Sequence, residues 1–379
     1  MKSRNIIIVG NLPPPITGQH VQTQLNADLL SELFNVTIVD TSTGSEDIIT
    51  NLNVLDRVRH YLAVGSRIRQ AVEQHTPDAA VWHSISGQGI GHMRDIATVL
   101  PSVGRSTPVI AVVHSGRFDE LLSSVPLRPT TKLLARRIKR FVFLSEILSE
   151  RCAPYLPIEK RHVIPNTIES ALTPDATAVL NKLGRRSTLV SREYVHRILF
   201  VANMIPSKGY MALVRSLPSL PQNGVSFEAR FIGRWKSDSD RSEFERAIDD
   251  LNLRQQVVHL GQLRDREHLA REYLAADVFV LPTYYPTEAQ PMSVIEALAS
   301  ATPVVVSRHA SLPSMVVEGR EARFVDPHSP ESIASAIHDL LRPEVWGTAA
   351  RYARTRFEER YSAEIVLKKW ADLLGRADE

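Results

Sequence analysis

Short apolar runs, many of them β-branched, punctuate the chain at 5–9, 35–40, 79–83, 108–113, 140–144 and 162–164, with longer stretches of helical spacing between them. A second series follows at 197–201, 229–232, 257–260, 278–281 and 304–306. Runs that are apolar throughout, instead of alternating with polar residues, belong to strands covered on both faces. Their alternation with helices predicts parallel sheets. The stretch 172–196 between the two series carries no strand signal and is polar at both ends. The pattern therefore predicts an α/β chain with two Rossmann-like domains: 1–175, then a linker at 176–196 holding one short helix, then 197–350. Residues 351–379 form a helical segment expected to pack back towards the first domain. Ligands of such sheets sit outside the carboxyl ends of the strands, so chemistry is expected in the turns that follow them.

Composition narrows this reading. With 379 residues, 43 % of them apolar, the chain can bury two cores. A net charge of +3 is no nucleic-acid footprint. One cysteine, Cys152, excludes an internal disulfide framework and a cysteine-based zinc site, and fits a reducing compartment. No apolar run approaches the ~18 residues of a spanning helix, and the run at 5–10 is too short for a signal segment. A cytoplasmic location is expected.

The turn after the first strand, Gly10 to His20, is no dinucleotide fingerprint. Three prolines stiffen it, and Gly18 supplies either a close approach for an anion at a helix start or merely a residue tolerant of positive φ. After the run at 197–201, Lys208 precedes Gly209 on another turn, where it is either a phosphate contact or a solvated loop lysine. The richest segment follows the run at 278–281. Pro291 suits the first position of a helix that must end before Pro303, and Met292, Val294, Ile295, Ala297 and Leu298 leave it no polar face. Glu296 is its only charge. A buried carboxylate needs a partner, either a basic side chain from a neighbouring element or the hydroxyls of a ligand whose phosphates sit at the helix N-terminus.

Together these segments resemble family 4 of the retaining glycosyltransferases, which have the GT-B fold of two Rossmann-like domains facing a central cleft. The resemblance runs from Ile6 to about Leu341. It is carried by the E-x7-E pair Glu288 and Glu296 within EAQPMSVIEALASATPVVVS, supported by residues 13–18, 113–118, 144–146, 163–166 and 206–209. It implies that Glu296 binds the donor ribose, that Glu288 lies against the transferred sugar, and that Lys208 stabilises the departing diphosphate. It further implies catalytic roles for Glu288, His114 and Lys208, with Gly18, Asn203, Arg234, Gln290, Pro291, Met292 and Ser293 around the donor. For His114 the competing reading is a core histidine closing a strand end.

Three departures stand out. Asn203 takes the place of the family's usual arginine beside the phosphate-binding lysine, so Arg234 or Lys236 would have to supply that cation. Gln19 replaces the second glycine of the N-terminal loop, and Pro313-Ser314 the usual Pro-Glu.

The resemblance implies a nucleotide-sugar donor and a glycan or lipid-linked acceptor, with the anomeric configuration retained. No cofactor is expected and no metal ion, since fixed cations and a helix N-terminus would make one redundant; Asp238-Ser239-Asp240 lies in a charged, surface-like run. Between Arg117 and Arg140 there are seven basic residues against Asp119 and Glu120. A helix over 132–141 would gather Leu133, Leu134, Ile138 and Phe141 on one arc opposite Lys132, Arg136, Lys139 and Arg140. Such a helix, within 128–141, either docks on an anionic membrane surface or is an ordinary surface helix. Two rival functions remain: a sugar-nucleotide epimerase of the same architecture, and a module that binds a nucleotide or glycan without turnover.

Overall fold

The computed structural model describes residues 4–14, 18–42, 54–87, 89–188, 194–222 and 224–375. Residues 15–17 of the expected N-terminal loop and 189–193 of the expected linker lie outside them. The chain divides into two compact units. The first comprises Met1–Thr167, Thr287–Gln290 and Ala363–Glu379, and the second Ile168–Pro286 and Pro291–Ser362.

The first unit holds a six-stranded parallel sheet of β1 (Asn5–Gly10), β2 (Asn35–Asp40), β3 (Ala79–Ile85), β4 (Val109–Val113), β5 (Arg140–Phe143) and β6 (Arg161–Val163), in the order β2-β1-β3-β4-β5-β6. Ile6 lies opposite Val36 and Ala80. Alternate residues fill two apolar layers. Ile7, Val9, Val81 and Ala111 enter one, and Ile6, Ile8, Trp82 and Val112 enter the other. The second layer is completed by the helix Ala363–Gly375, whose Trp370 ring sits 6.3 Å from Trp82 and donates from Nε1 to Asn26 at 3.1 Å.

The second unit repeats the plan with β7 (His196–Val201), β8 (Phe227–Ile232), β9 (Val257–His259), β10 (Val278–Leu281), β11 (Val304–Ser307) and β12 (Ala322–Val325), ordered β12-β11-β10-β7-β8-β9. Strand β12 escapes sequence reading because its run is short and interrupted by Arg323, which pairs with Asp339 at 2.6 Å.

Two expectations need correction. The chain leaves the first unit at Thr167, and the helix Ala176–Thr188 is an integral part of the second unit. Its Lys182 is buried, donating to the Ser300 carbonyl at 2.8 Å and to Thr302 Oγ1 at 2.5 Å. Burial brings this ammonium down to about 7. The basic arc over 132–141 is likewise not one helix. The helix is Arg128–Arg137, Phe141 lies in β5, and Leu134, Ile138 and Phe141 are buried in the core. The shared periodicity of these three residues reflects packing against the sheet.

One short segment of the first unit's core, Thr287–Gln290, comes from far along the chain. Ala289 joins the apolar layer, and the Gly116 N–H donates to the Thr287 carbonyl at 3.4 Å. A Cβ on Gly116 would stand 1.7 Å from the Glu288 carbonyl oxygen, so no larger residue fits without moving that backbone. Gly116→Ala should therefore cost about 1–3 kcal/mol, typical of overpacking. Gly104→Ala, whose Cβ would meet nothing within 4 Å, should leave the melting temperature nearly unchanged. Equal melting temperatures for the two variants would refute the close approach.

Candidate functional site

In the second unit β8 and β9 extend the sheet on one side of β7, while β10, β11 and β12 extend it on the other. The carboxyl ends of β7 and β10 thus border a topological switch point, where open parallel sheets bind ligands. The turn after β7 passes Asn203 and the short turn Pro206–Lys208 to Gly209. That residue adopts φ 85°, and a Cβ there would lie 2.2 Å from the Pro282 carbonyl oxygen. The turn after β10 is fastened to it by the Tyr284 N–H, which donates to the Ser207 carbonyl at 2.8 Å. The Lys208 ammonium lies 4.5 Å from the centre of the Tyr285 ring, a cation–π distance. These contacts fix Lys208, half-buried, beside the switch point.

A parallel bridge pairs Met204 with Trp235, and the Met204 N–H donates to the Arg234 carbonyl at 2.9 Å. This register makes Asn203 and Arg234 neighbours, both exposed. An arginine therefore lies next in register to the asparagine that replaces the expected one. The Trp235 ring packs among Tyr210, Phe244 and His259, which anchors this turn.

The helix Met292–Ala299 follows β10. Pro291 is its N-cap, not its first helical residue as its sequence position suggested. Its last turn is satisfied by Arg354, which donates to the Ala299 carbonyl at 2.7 Å and places a cation at the negative end of the helix. At the other end the Val294 N–H turns back to the Pro291 carbonyl at 3.2 Å, and such a helix start is the usual setting for an anion. Met292 and Ser293 are half-buried while every later residue of the helix is buried. Glu296 lies one turn on from both, on the same face, and helical side chains lean back towards the N-terminus.

Glu296 is 6 % exposed, and Tyr273 donates to its Oε2 at 2.5 Å. Among the described residues no arginine bonds to it. Burial raises its pKa to about 7, partly offset by the Tyr273 hydrogen bond and by Arg266, which is paired with Glu169 at 2.6 Å. Tyr273 carries no periodic signal in the sequence. Only the need of a lone carboxylate for a donor pointed to such a partner, and that need did not name it.

The remaining predicted residues belong to the first unit. Glu288 and Gln290 lie there, so the E-x7-E pair is divided between the units. Glu288 is buried. Gln290, expected around the donor, has both ends of its amide engaged: Oε1 accepts from the Asn166 N–H at 2.6 Å, and Nε2 donates to the Leu144 carbonyl at 2.7 Å. Residues 113–118, 144–146 and 163–166, scattered in sequence, thus each contribute a group that holds Thr287–Gln290.

His114 follows β4, half-buried, with Nε2 enclosed and without a hydrogen-bond partner among the described residues. Burial lowers its pKa to about 4, so the ring is neutral at physiological pH. Gly18 opens the helix Gly18–Ser31 with an ordinary φ, and a Cβ added there would meet nothing within 4 Å, so neither backbone nor packing demands glycine. Gln19, in the first turn of that helix, donates to Ser84 Oγ near the end of β3 at 2.8 Å, at the first sheet's own switch point between β1 and β3. Asp238 and Asp240 begin the helix Asp238–Asp250 behind the Ser237 cap, where acids complement the helix dipole.

Residues 186–358 match the family model described as Glycosyl transferases group 1. The chain is 28 % identical over 290 residues to a D-inositol 3-phosphate glycosyltransferase of Corynebacterium glutamicum, covering 72 % of this chain and 66 % of that one. It is 26 % identical over 266 residues to an exopolysaccharide phosphotransferase of Streptomyces coelicolor, covering 69 % of this chain and 25 % of that protein. The chain thus spans less than two thirds of the length of these relatives. Among solved structures, Anabaena HepE in complex with UDP superposes with a TM-score of 0.75 at 15 % identity, over 98 % of this chain and 99 % of that one. Likeness of this kind establishes the fold, GT-B.

A carboxyl whose pKa rises on folding stabilises the fold below its unfolded value, and that contribution is lost as pH climbs through the folded value. For Glu296 this window runs from 4.5 to about 7, a difference of about 3 kcal/mol. Glu296→Gln keeps the shape and the contact with Tyr273 without the charge. It should melt at a higher temperature than the parent at pH 8 and at nearly the same temperature at pH 5. A pH-independent difference would contradict the buried-carboxylate assignment.

Proposed function

We propose that the chain is a retaining, metal-independent glycosyltransferase that takes a hexose-type sugar from a nucleoside-diphosphate donor held by the second unit. Its acceptor is a glycan or lipid-linked molecule held by the first unit, in the assembly of a surface polysaccharide or glycoconjugate. The observation that carries this reading is the arrangement around the switch point of β7 and β10. A buried carboxyl on Glu296, a helix N-terminus at Pro291, Met292 and Ser293, and the cations Lys208 and Arg234 suit a ribose and a diphosphate respectively. The match of residues 186–358 and the likeness to a structure holding UDP support it.

In this mechanism Lys208 and the N–H groups at the helix start stabilise charge as the nucleoside diphosphate leaves. Arg234 supplies the second cation that Asn203 cannot. Positive charge comes from the chain itself, and no metal is required. Glu288 and the neutral His114 act towards the transferred sugar, His114 as a hydrogen-bonding ring and not as a charge. Retention follows from the family resemblance.

Lys208→Ala should lower nucleoside-diphosphate release by at least 100-fold in an assay with donor and acceptor, as expected for loss of a fixed charge opposite a leaving group, ~3 kcal/mol. Turnover within a few-fold of the parent would refute the assignment. The same assay separates the rivals: an epimerase consumes donor without acceptor, and a binding module releases nothing. Donor affinity should increase as pH rises through 7 and level off above it, because ribose hydroxyls donate to the charged form of Glu296; in Glu296→Gln that dependence should vanish.

A peripheral location on the inner face of the cell membrane is the second part of the proposal. No described helix is long and apolar enough to cross a membrane. The outward side of the helix Arg128–Arg137 and its flanks presents Arg128, Lys132, Arg136 and Lys139, all exposed, with Val125 and Leu133 beside them. Each basic residue near an anionic surface contributes about 1 kcal/mol. The protein should float with anionic liposomes at low salt and detach as salt is raised. Absence of binding at low salt, or unchanged binding in Lys132→Glu/Arg136→Glu, would dispose of this surface.

A further inference from the structure

A cavity of about 270 Å³ opens at the free edge of the first sheet, between β6 and the helix Ala363–Gly375. It lies away from the β1/β3 switch point, at the far end of the strand order. Arg140, His162, Lys369 and Asp372 line it, over a floor that includes Val163 and Ile164. Lys369 is half-buried, Asp372 is exposed, and Arg140 also donates to the Leu373 carbonyl. Among the described residues that line it, two cations and a histidine stand with one exposed acid.

The histidine carries the argument. Its Nε2 is enclosed and has no hydrogen-bond partner among the described residues, although a buried polar atom normally has one. Its other nitrogen is engaged by the Glu159 backbone carbonyl. With Nδ1 as the donor, Nε2 is a lone pair when the ring is neutral and a second donor when it is protonated. Burial and the neighbouring Arg140 both disfavour the proton. An incoming anion would reverse that balance, since opposite charge favours the charged ring. The groups facing His162 are Arg140 from β5, the Glu159 carbonyl from the preceding turn, and Lys369 and Asp372 from the helix.

We propose that this cavity is a binding site for the phosphate group of a small molecule, with Arg140 and Lys369 as fixed cations and His162 taking up a proton from solvent as the anion enters. The volume leaves space beyond the phosphate for a short organic moiety. Lipid headgroups share the same chemistry, and the experiment distinguishes the two sources.

Inorganic phosphate is the probe, and the full chain carries Lys208→Ala so that the proposed donor site does not respond. Phosphate should raise the melting temperature, more at pH 6 than at pH 8. The ring resonance of His162, identified by its loss in His162→Gln, should titrate at higher pH with phosphate than without. Lys369→Gln and His162→Gln should each reduce the phosphate-dependent rise several-fold while the phosphate-free melting temperature stays close to the parent. An unchanged His162 titration, or a Lys369→Gln response equal to the parent's, would overturn the proposal. In a second arm, run in the Lys132→Glu/Arg136→Glu background so that the proposed membrane surface does not contribute, co-sedimentation with phosphatidic acid vesicles that Lys369→Gln abolishes would assign the phosphate to a headgroup. A response to free phosphate without vesicle binding would assign it to a soluble metabolite. None of these outcomes depends on transferase activity.

Discussion

A carboxyl group on a helix with no polar face must be satisfied inside the protein, and the second unit is arranged around that constraint. Tyr273 donates to Glu296 at 2.5 Å, while its own backbone carbonyl accepts from Thr302, to which the buried Lys182 also donates. The helix Ala176–Thr188, the helix bearing Tyr273 and the turn after the Glu296 helix are thereby joined through polar groups in an otherwise apolar interior. Networks of this kind contribute to stability only when each member is paired. The phenol satisfies one oxygen of Glu296 without bringing a compensating charge, so the group remains costly to ionise. A ligand hydroxyl would relieve that cost.

The cations are placed by the backbone. Gly209 tolerates both the left-handed φ and the proximity of Pro282, and the Tyr284 N–H binds the two turns at the switch point together. The bridge between Met204 and Trp235 then brings Arg234 alongside Asn203. The residue that comes to lie opposite the asparagine is some thirty positions away, and its approach depends on strand register and not on sequence distance.

The first unit shows the same dependence on long-range backbone contacts. Thr287–Gln290 leave the β10 turn and become part of the first unit's packing. Gly116, Leu144 and Asn166 receive them through a close approach, a hydrogen bond that the Gln290 amide donates to Leu144 and one that it accepts from Asn166. Three of the sequence segments that carried the family resemblance are therefore explained by holding one short loop. Gln290, which the resemblance places around the donor, supplies both of those hydrogen bonds.

The sequence by itself determined the α/β class, the positions of eleven of the twelve strands among the described residues, and the isolation of Glu296 on a greasy helix. These are properties of local apolar spacing, and spacing is visible in one dimension. Strand β12 escapes because Arg323 interrupts a run that burial only half requires. The basic arc over 132–141 misleads because a helix ending at Arg137 and a strand beginning at Arg140 can place their core residues at intervals that imitate one helix. Only the tertiary structure decided that Tyr273 answers Glu296, that Arg234 stands beside Asn203, that Glu288 and Glu296 belong to different units, and that Lys182 is buried. Each of those outcomes joins residues through strand order and register, which depend on how the whole sheet packs and leave no trace in the spacing of any one segment.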